Sequence, residues 1–316
     1  MPKKTKGELT SPVSSPSKKQ PTGGKPSLAE TVEDKYPGRR QKSAWNRGLD
    51  GLSRVLHRAG ISTHHVSWEP VALAHLTPLV RRELLSYFRS PVAYVFIIVF
   101  LVATTGTTWY LGDFYQSNQA SLEIFFFFHP WLYLFLIPAA GMRLWAEERR
   151  SGTIELLLTL PISLMTAVLA KFLAAWLFVG VALVLTLPMV LTGYILGDPD
   201  GGVIVAGYIG SFLMAGAYLA IASFTSSLTK NQVISFITSF MACLVLVLLG
   251  WGVLTESLAG IFPIWLADII TSFSFTTHFD AIRRGVVDIR DVVYFLSVTG
   301  LMLFATVIVL ENRKAN

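Results

Sequence analysis

Six apolar runs, none holding a Lys, Arg, Asp or Glu, constrain this chain more than any other feature. They fall at about residues 92–112, 124–142, 172–196, 203–228, 233–254 and 292–310. A transmembrane helix needs about 20 consecutive apolar residues, and lipid offers no water to satisfy an open backbone. The sequence therefore predicts an all-α polytopic membrane protein with six transmembrane helices. Composition agrees: 53% of the 316 residues are hydrophobic and 15% charged, against roughly 25% charged in soluble domains. One cysteine, Cys243, excludes an intrachain disulfide framework, a thiolate metal cluster and a CxxC pair.

The net charge of +6 belongs to the beginning of the chain, because residues 1–70 hold 13 of the 26 basic residues but only 6 of the 20 acidic ones. Residues 1–48 are rich in Lys, Pro, Ser and Gly, a composition that cannot bury enough apolar surface to offset ordering. They read as a disordered basic tail. No apolar stretch follows the early lysines, so a signal peptide is not expected. Residues 49–70 read as a linker, either unstructured or carrying a short interfacial helix on Leu49, Leu52, Val55, Leu56 and Ala59. Beside a membrane domain such a tail points to anionic lipid, and no motif points to nucleic acid. Over residues 71–90, Leu76, Leu79, Val80, Leu84 and Tyr87 face Arg81, Arg82, Glu83 and Arg89. Ser90-Pro91 then breaks the helix, which makes 71–90 an amphipathic elbow lying along the membrane surface.

Basic residues near the runs set the orientation. Arg81, Arg82, Arg143, Arg149, Lys171 and Lys230 fall on one side with Arg313 and Lys314, whereas Asp113, Glu123, Asp198 and Asp200 fall in basic-free connections on the other. Both termini are expected in the cytoplasm. Phe262–Phe279 is apolar apart from Asp268, but a seventh span would put Arg313 and Lys314 outside. Residues 255–291 therefore read as an outer re-entrant or interfacial hairpin before the last span.

The connection Glu147-Glu148-Arg149-Arg150-Ser151-Gly152-Thr153-Ile154-Glu155 stacks four charges beside a membrane, which demands a wet or protein-covered place. Ser151-Gly152 reads as a turn, and Thr153 as the cap of a short surface helix with Glu155 in its first turn. The plainer alternative is a charged loop that enforces topology. Elsewhere, His129 reads as a buried histidine bonded to a neighbouring helix, and the small residues of 203–228, Gly207, Gly210 and Gly216 among them, read as internal packing positions. His64-His65 lacks metal-binding partners, and Cys243 reads as a small buried residue.

Three segments in order carry a family resemblance: Arg82-Glu83-Leu84 with Tyr87-Phe88-Arg89-Ser90-Pro91; Glu147-Glu148-Arg149, Gly152-Thr153, Glu155-Leu156-Leu157 and Pro161; and Ser274-Phe275, His278-Phe279, Arg284-Gly285-Val286-Val287-Asp288 and Asp291–Phe295. Together they resemble the permease subunits of type-2 ABC transporters over residues 71–312, closest to those of the gliding-motility and copper-site-maturation kind. The resemblance implies a bacterial inner-membrane permease that hydrolyses no ATP, and no GxxxxGK[ST] loop is present. A separate ABC ATPase would bind the ATP and Mg, with no cofactor, metal or catalytic residue on this chain. A second permease copy, paralogue or auxiliary subunit would complete the complex. It implies ATPase-coupling contacts at Glu147, Glu148, Arg149, Gly152, Thr153 and Glu155, and a second contact at Thr229 and Lys230. His278, Asp280, Arg283, Arg284 and Asp288 become candidates for gating or for an envelope or periplasmic partner, against a self-satisfied ion network. The function implied is export or conformational work; the alternative is a mechanotransmitter that drives an envelope partner without moving a solute. An intramembrane enzyme is disfavoured, since the six runs contain no carboxylate.

Overall fold

The computed structural model describes residues 73–116, 121–154, 163–252 and 263–314. The tail, the linker and Glu155 thus lie outside the described residues. Among those described, all regular structure is helical. Helix α1 is Leu73–Arg89. At Ser90 the backbone turns extended (φ −89°, ψ 130°), and Pro91 opens α2, Pro91–Gly106, where its missing N–H costs nothing. A π turn, Thr107–Leu111, continues α2.

A nearly continuous run follows: α3, Glu123–Phe127; α4, His129–Gly141; α5, Arg143–Ser151. Then come α6, Leu164–Val184, α7, Leu187–Leu196, α8, Gly201–Leu228, and α9, Gln232–Leu248. Two short helices, α10 at Ile264–Thr271 and α11 at Phe275–Arg283, precede α12, Ile289–Lys314.

Helix α8 is the hub, with α4, α6, α9, α11 and α12 all packed on it. Its apolar window is 72% buried, against 22% for α2 and for α12. Small residues make this possible. A side chain on Gly207 would enter the Phe126 ring, one on Gly210 would meet Ile282, and one on Gly216 would press on Trp176 at 3.0 Å. Backbones approach closely at such positions, and packing rather than hydrophobicity drives helix association in lipid.

Among the described residues, four stretches are long and apolar enough to cross a membrane: Pro91–Leu111, Leu164–Leu196, Gly201–Leu228 and Ile289–Asn312. The run expected at 124–142 is interrupted at Phe128 and Met142; Pro130, which lacks a backbone donor, opens the helix that follows the first break, whereas Pro138 lies inside α4. That expected at 233–254 corresponds to α9, which is shorter and ends at Leu248. The run expected to begin at 172 begins instead at Leu164, where Ser163 caps the helix by accepting from Thr166 N at 3.2 Å. Lys171 therefore lies inside an apolar helix rather than before it.

Candidate functional site

The charged residues of 147–150 ride on α5, and the reason is local. Met142 interrupts the α4–α5 run, leaving amides at the start of α5 without partners from their own turn. Ser226 of α8 supplies them: its Oγ donates to Met142 O at 2.9 Å and accepts from Trp145 N and Ala146 N, both at 3.0 Å. Trp145, fully buried, donates its indole N–H to Ser223 Oγ at 3.0 Å. One buried hydroxyl thus fixes where α5 leaves α4. Helix α5 ends at Gly152, whose φ of +74° is a left-handed cap that suits glycine. The turn falls where Ser151-Gly152 led one to expect it, residues 153 and 154 are helical again, and the remainder of the helix expected after Thr153 lies outside the described residues. Thr153 Oγ1 turns back to Ser151 Oγ at 3.0 Å and to Glu148 O at 3.4 Å.

Along α5 the charges point into the chain's own network. Glu148 Oε1 lies 2.7 Å from Lys171 Nζ, and that ammonium also meets Glu83 Oε2 at 3.2 Å. Lys171 is 9% exposed, so α1, α5 and α6 are tied through one buried cation. Burial alone would raise the Glu83 carboxyl, but Lys171 and the adjacent Arg82 outweigh it and hold the group below its ordinary 4.5. Arg143 Nε donates to Glu147 Oε2 at 2.8 Å, and Gln232 Nε2 reaches the same oxygen at 2.9 Å. The Arg143 hydrogen bond, helped by Gln232, likewise lowers the Glu147 carboxyl. Arg149 donates to Ser227 O at 2.6 Å. The two segments expected to act together, 147–153 and 227–232, are therefore in direct contact. Thr229 Oγ1 accepts from Asn231 N at 3.0 Å, while Lys230 is exposed, as are Arg150, Ser151 and Thr153.

A second cluster stands at the other end of the α3–α5 run. Arg283 donates to Asp280 Oδ1 and to Glu123 Oε1, each at 2.7 Å, and Arg284 Nε stands 3.7 Å from the same Glu123 oxygen. His278 bridges α10 and α12, with Nδ1 at 2.6 Å from Asp291 Oδ1 and Nε2 at 2.9 Å from Ser272 O. Its ring stacks on Tyr294 at 3.9 Å. Asp288 accepts from Arg290 N at 3.0 Å at the start of α12. His278, Asp280, Arg283 and Arg284 thus sit in a network that their own neighbours satisfy. His129 is fully buried and bonds Phe125 O at 3.0 Å, one turn back along its own run rather than on a neighbouring helix. No group of residues suited to hold a metal ion is found among the described residues.

Sequence reasoning missed Lys171, Glu83 and Glu123 as partners. Lys171 had carried a usable signal, as a lone cation directly abutting an apolar run that it could join only if neutralised. The family model described as ABC-2 family transporter protein matches residues 103–310. The chain belongs to that family. It is the membrane permease of an ABC transporter, a multi-pass subunit whose family implies an ABC ATPase as partner. No curated protein matches the chain. The match takes in α5, the 227–232 turn and the Arg283 cluster, and begins beyond α1.

Proposed function

We propose that α5 and the 227–232 turn form the face on which the ABC ATPase docks, and that the buried Lys171 tie passes ATP-driven movement to the membrane helices. The observation that carries this is the joining of the two segments: Gln232 to Glu147 and Arg149 to Ser227 O. A docking face must hold a partner through side chains that tolerate water, and Arg150, Ser151, Thr153 and Lys230 are the exposed ones. Glu147, Glu148 and Arg149 then act behind that face, holding the two segments and Lys171 together. Glu155 and Gly152 complete the coupling segment. ATP and Mg reside on the partner.

The same proposal includes six spans, with α3–α4 and α9 crossing beside the four longer stretches, and a bacterial inner-membrane location with α5 and both termini in the cytoplasm. Helix α1 is then the elbow, α10–α11 belong to the outer hairpin, and the basic tail meets anionic lipid. A second permease or auxiliary subunit pairs with this one, and the work done is export. The kinship to gliding-motility and copper-site-maturation permeases rests on the sequence resemblance. The test is co-purification from the native host in mild detergent. Arg150→Glu/Lys230→Glu loses the ATPase while keeping the fold. Glu148→Gln keeps the ATPase but loses the stimulation of its hydrolysis. An ATPase bound equally by wild type and the double variant would sink the docking face.

A further inference from the structure

Beside the Lys171 tie lies a cavity of about 490 Å³ bounded by α1, α2, α4, α5 and α6. One end is charged, lined by Glu83, Arg143, Glu147, Glu148 and Lys171. The other is apolar, lined by Val92, Val95, Phe96, Val99 and Leu136. Val92, Val95 and Val99 are also exposed, at 51%, 59% and 45%, so the cavity opens sideways on the face that α2 turns to the bilayer. From Val92 to Val99 the helix rises about 10 Å, the length of several acyl carbons. A slot that is charged at the membrane edge, apolar further in and open to lipid has the polarity profile of an amphiphile.

The charges say which kind. Three carboxylates face two cations, so a head carrying only negative charge is repelled. Lys171 occupies one oxygen of Glu148, while the other, Oε2, has no partner and is closed off, so that a donor in the cavity reaches it when the carboxylate turns. Such an oxygen gains most from a donor, and a cationic donor gives the stronger bond. Arg143, partnered through Nε alone in the Glu147 pair, keeps further N–H groups for a phosphate.

We propose that this cavity binds one phospholipid with a phosphate–ammonium head, of the ethanolamine type. Its ammonium lies against Glu148 and Glu147, its phosphate against Arg143, and one acyl chain along Val95 and Val99. The lipid sits against the same carboxylate that Lys171 holds, and its occupancy therefore stiffens the link between α5 and α6. The site goes beyond the docking role above, and lipid retention is read without any ATPase, so the two readings fail separately.

The experiment uses the full-length chain, delipidated in mild detergent and returned to nanodiscs of phosphatidylethanolamine and phosphatidylglycerol in equal parts. Native mass spectrometry then counts the lipid that survives gentle activation. Wild type is expected to keep one phosphatidylethanolamine, with phosphatidylglycerol retained about tenfold less, as one lost charge-assisted hydrogen bond implies. Val95→Trp/Val99→Trp, at exposed positions, abolishes retention with the helical circular dichroism unchanged, and Glu148→Gln removes the headgroup preference. Equal retention of both lipids by wild type overturns the proposal without reference to any variant. So does retention that survives the Trp pair, or a second copy of the chain found covering this face in place of lipid.

Discussion

Lys171 shows how one side chain decides a local architecture. Its ammonium is 9% exposed and shared by Glu83 and Glu148. Removing the cation leaves two carboxylates in a place built for a neutralised set. Breaking a buried pair by deleting one partner costs about 3–5 kcal/mol, whereas an apolar replacement of the whole set can be nearly neutral. Lys171→Met should therefore lower the thermal unfolding midpoint sharply, and Glu83→Gln/Glu148→Gln added to it should recover much of the loss. By contrast the Arg143–Glu147 pair, with side chains 40% and 47% exposed, should cost no more than about 0.5 kcal/mol when Arg143 is made Ala. The Glu83 carboxyl titrates below 4.5 in the folded chain, so its stabilisation is whole above pH 4.5 and drains away as pH falls through the lower folded value. Unfolding midpoints followed from pH 6 to pH 3 should drop more steeply for wild type than for Glu83→Gln; parallel curves would remove Glu83 from the account. From the sequence, Lys171 was legible only as a topology marker and Glu83 only as the polar side of α1. Nothing in the local pattern of either residue says that another helix will bring its counterion.

At the scale of elements, α8 organises the rest, and part of this was legible. Its small residues recur where other helices press in, and Gly207, Gly210 and Gly216 each receive a bulky side chain. The course of the 123–151 run was not legible, because its last break is stabilised in trans. Ser226 holds Met142 O, Trp145 N and Ala146 N together, and periodicity carries no record of a cap supplied 80 residues away. Ser226→Ala leaves those buried groups unpaired. The expected loss is about 1–3 kcal/mol, measured by unfolding in detergent, and it should come with weaker ATPase stimulation because α5 is no longer aimed. Gly141 tests the same junction through packing, since any side chain there runs into Ala222 of α8. Gly141→Leu should destabilise by about 1–3 kcal/mol or more, and Ala222→Gly should recover part of that loss for Gly141→Ala.

The whole molecule turns on which ends of its helices face the same water. The apolar runs were legible in the sequence because charge is excluded from them, but how deeply each is buried was not, since that depends on α8 lying at the centre. Helix α8 has 28 residues, about 42 Å at 1.5 Å per residue, which exceeds the hydrocarbon thickness of about 30 Å. Its C-terminal end leads into exposed Lys230. At its N-terminal end, Val203 lies 3.2 Å from where a side chain on Gly285 would sit, so Arg284, 63% exposed, stands beside that end. If α8 crosses the bilayer, Lys230 and Arg284 must emerge on opposite faces. The single native cysteine, Cys243, is fully buried and can be replaced by Ala to give a clean background. In intact cells an impermeant maleimide should then label Arg284→Cys and spare Lys230→Cys, which should react only once the membrane is opened. That result fixes the docking face in the cytoplasm and the Arg283 cluster outside. The reverse pattern would invert the topology and move the ATPase contact to the 283–288 end, where Arg283 and Arg284 are already engaged by Asp280 and Glu123. Labelling of both from one side would mean that α8 does not cross at all, and the six-span arrangement would fall with it.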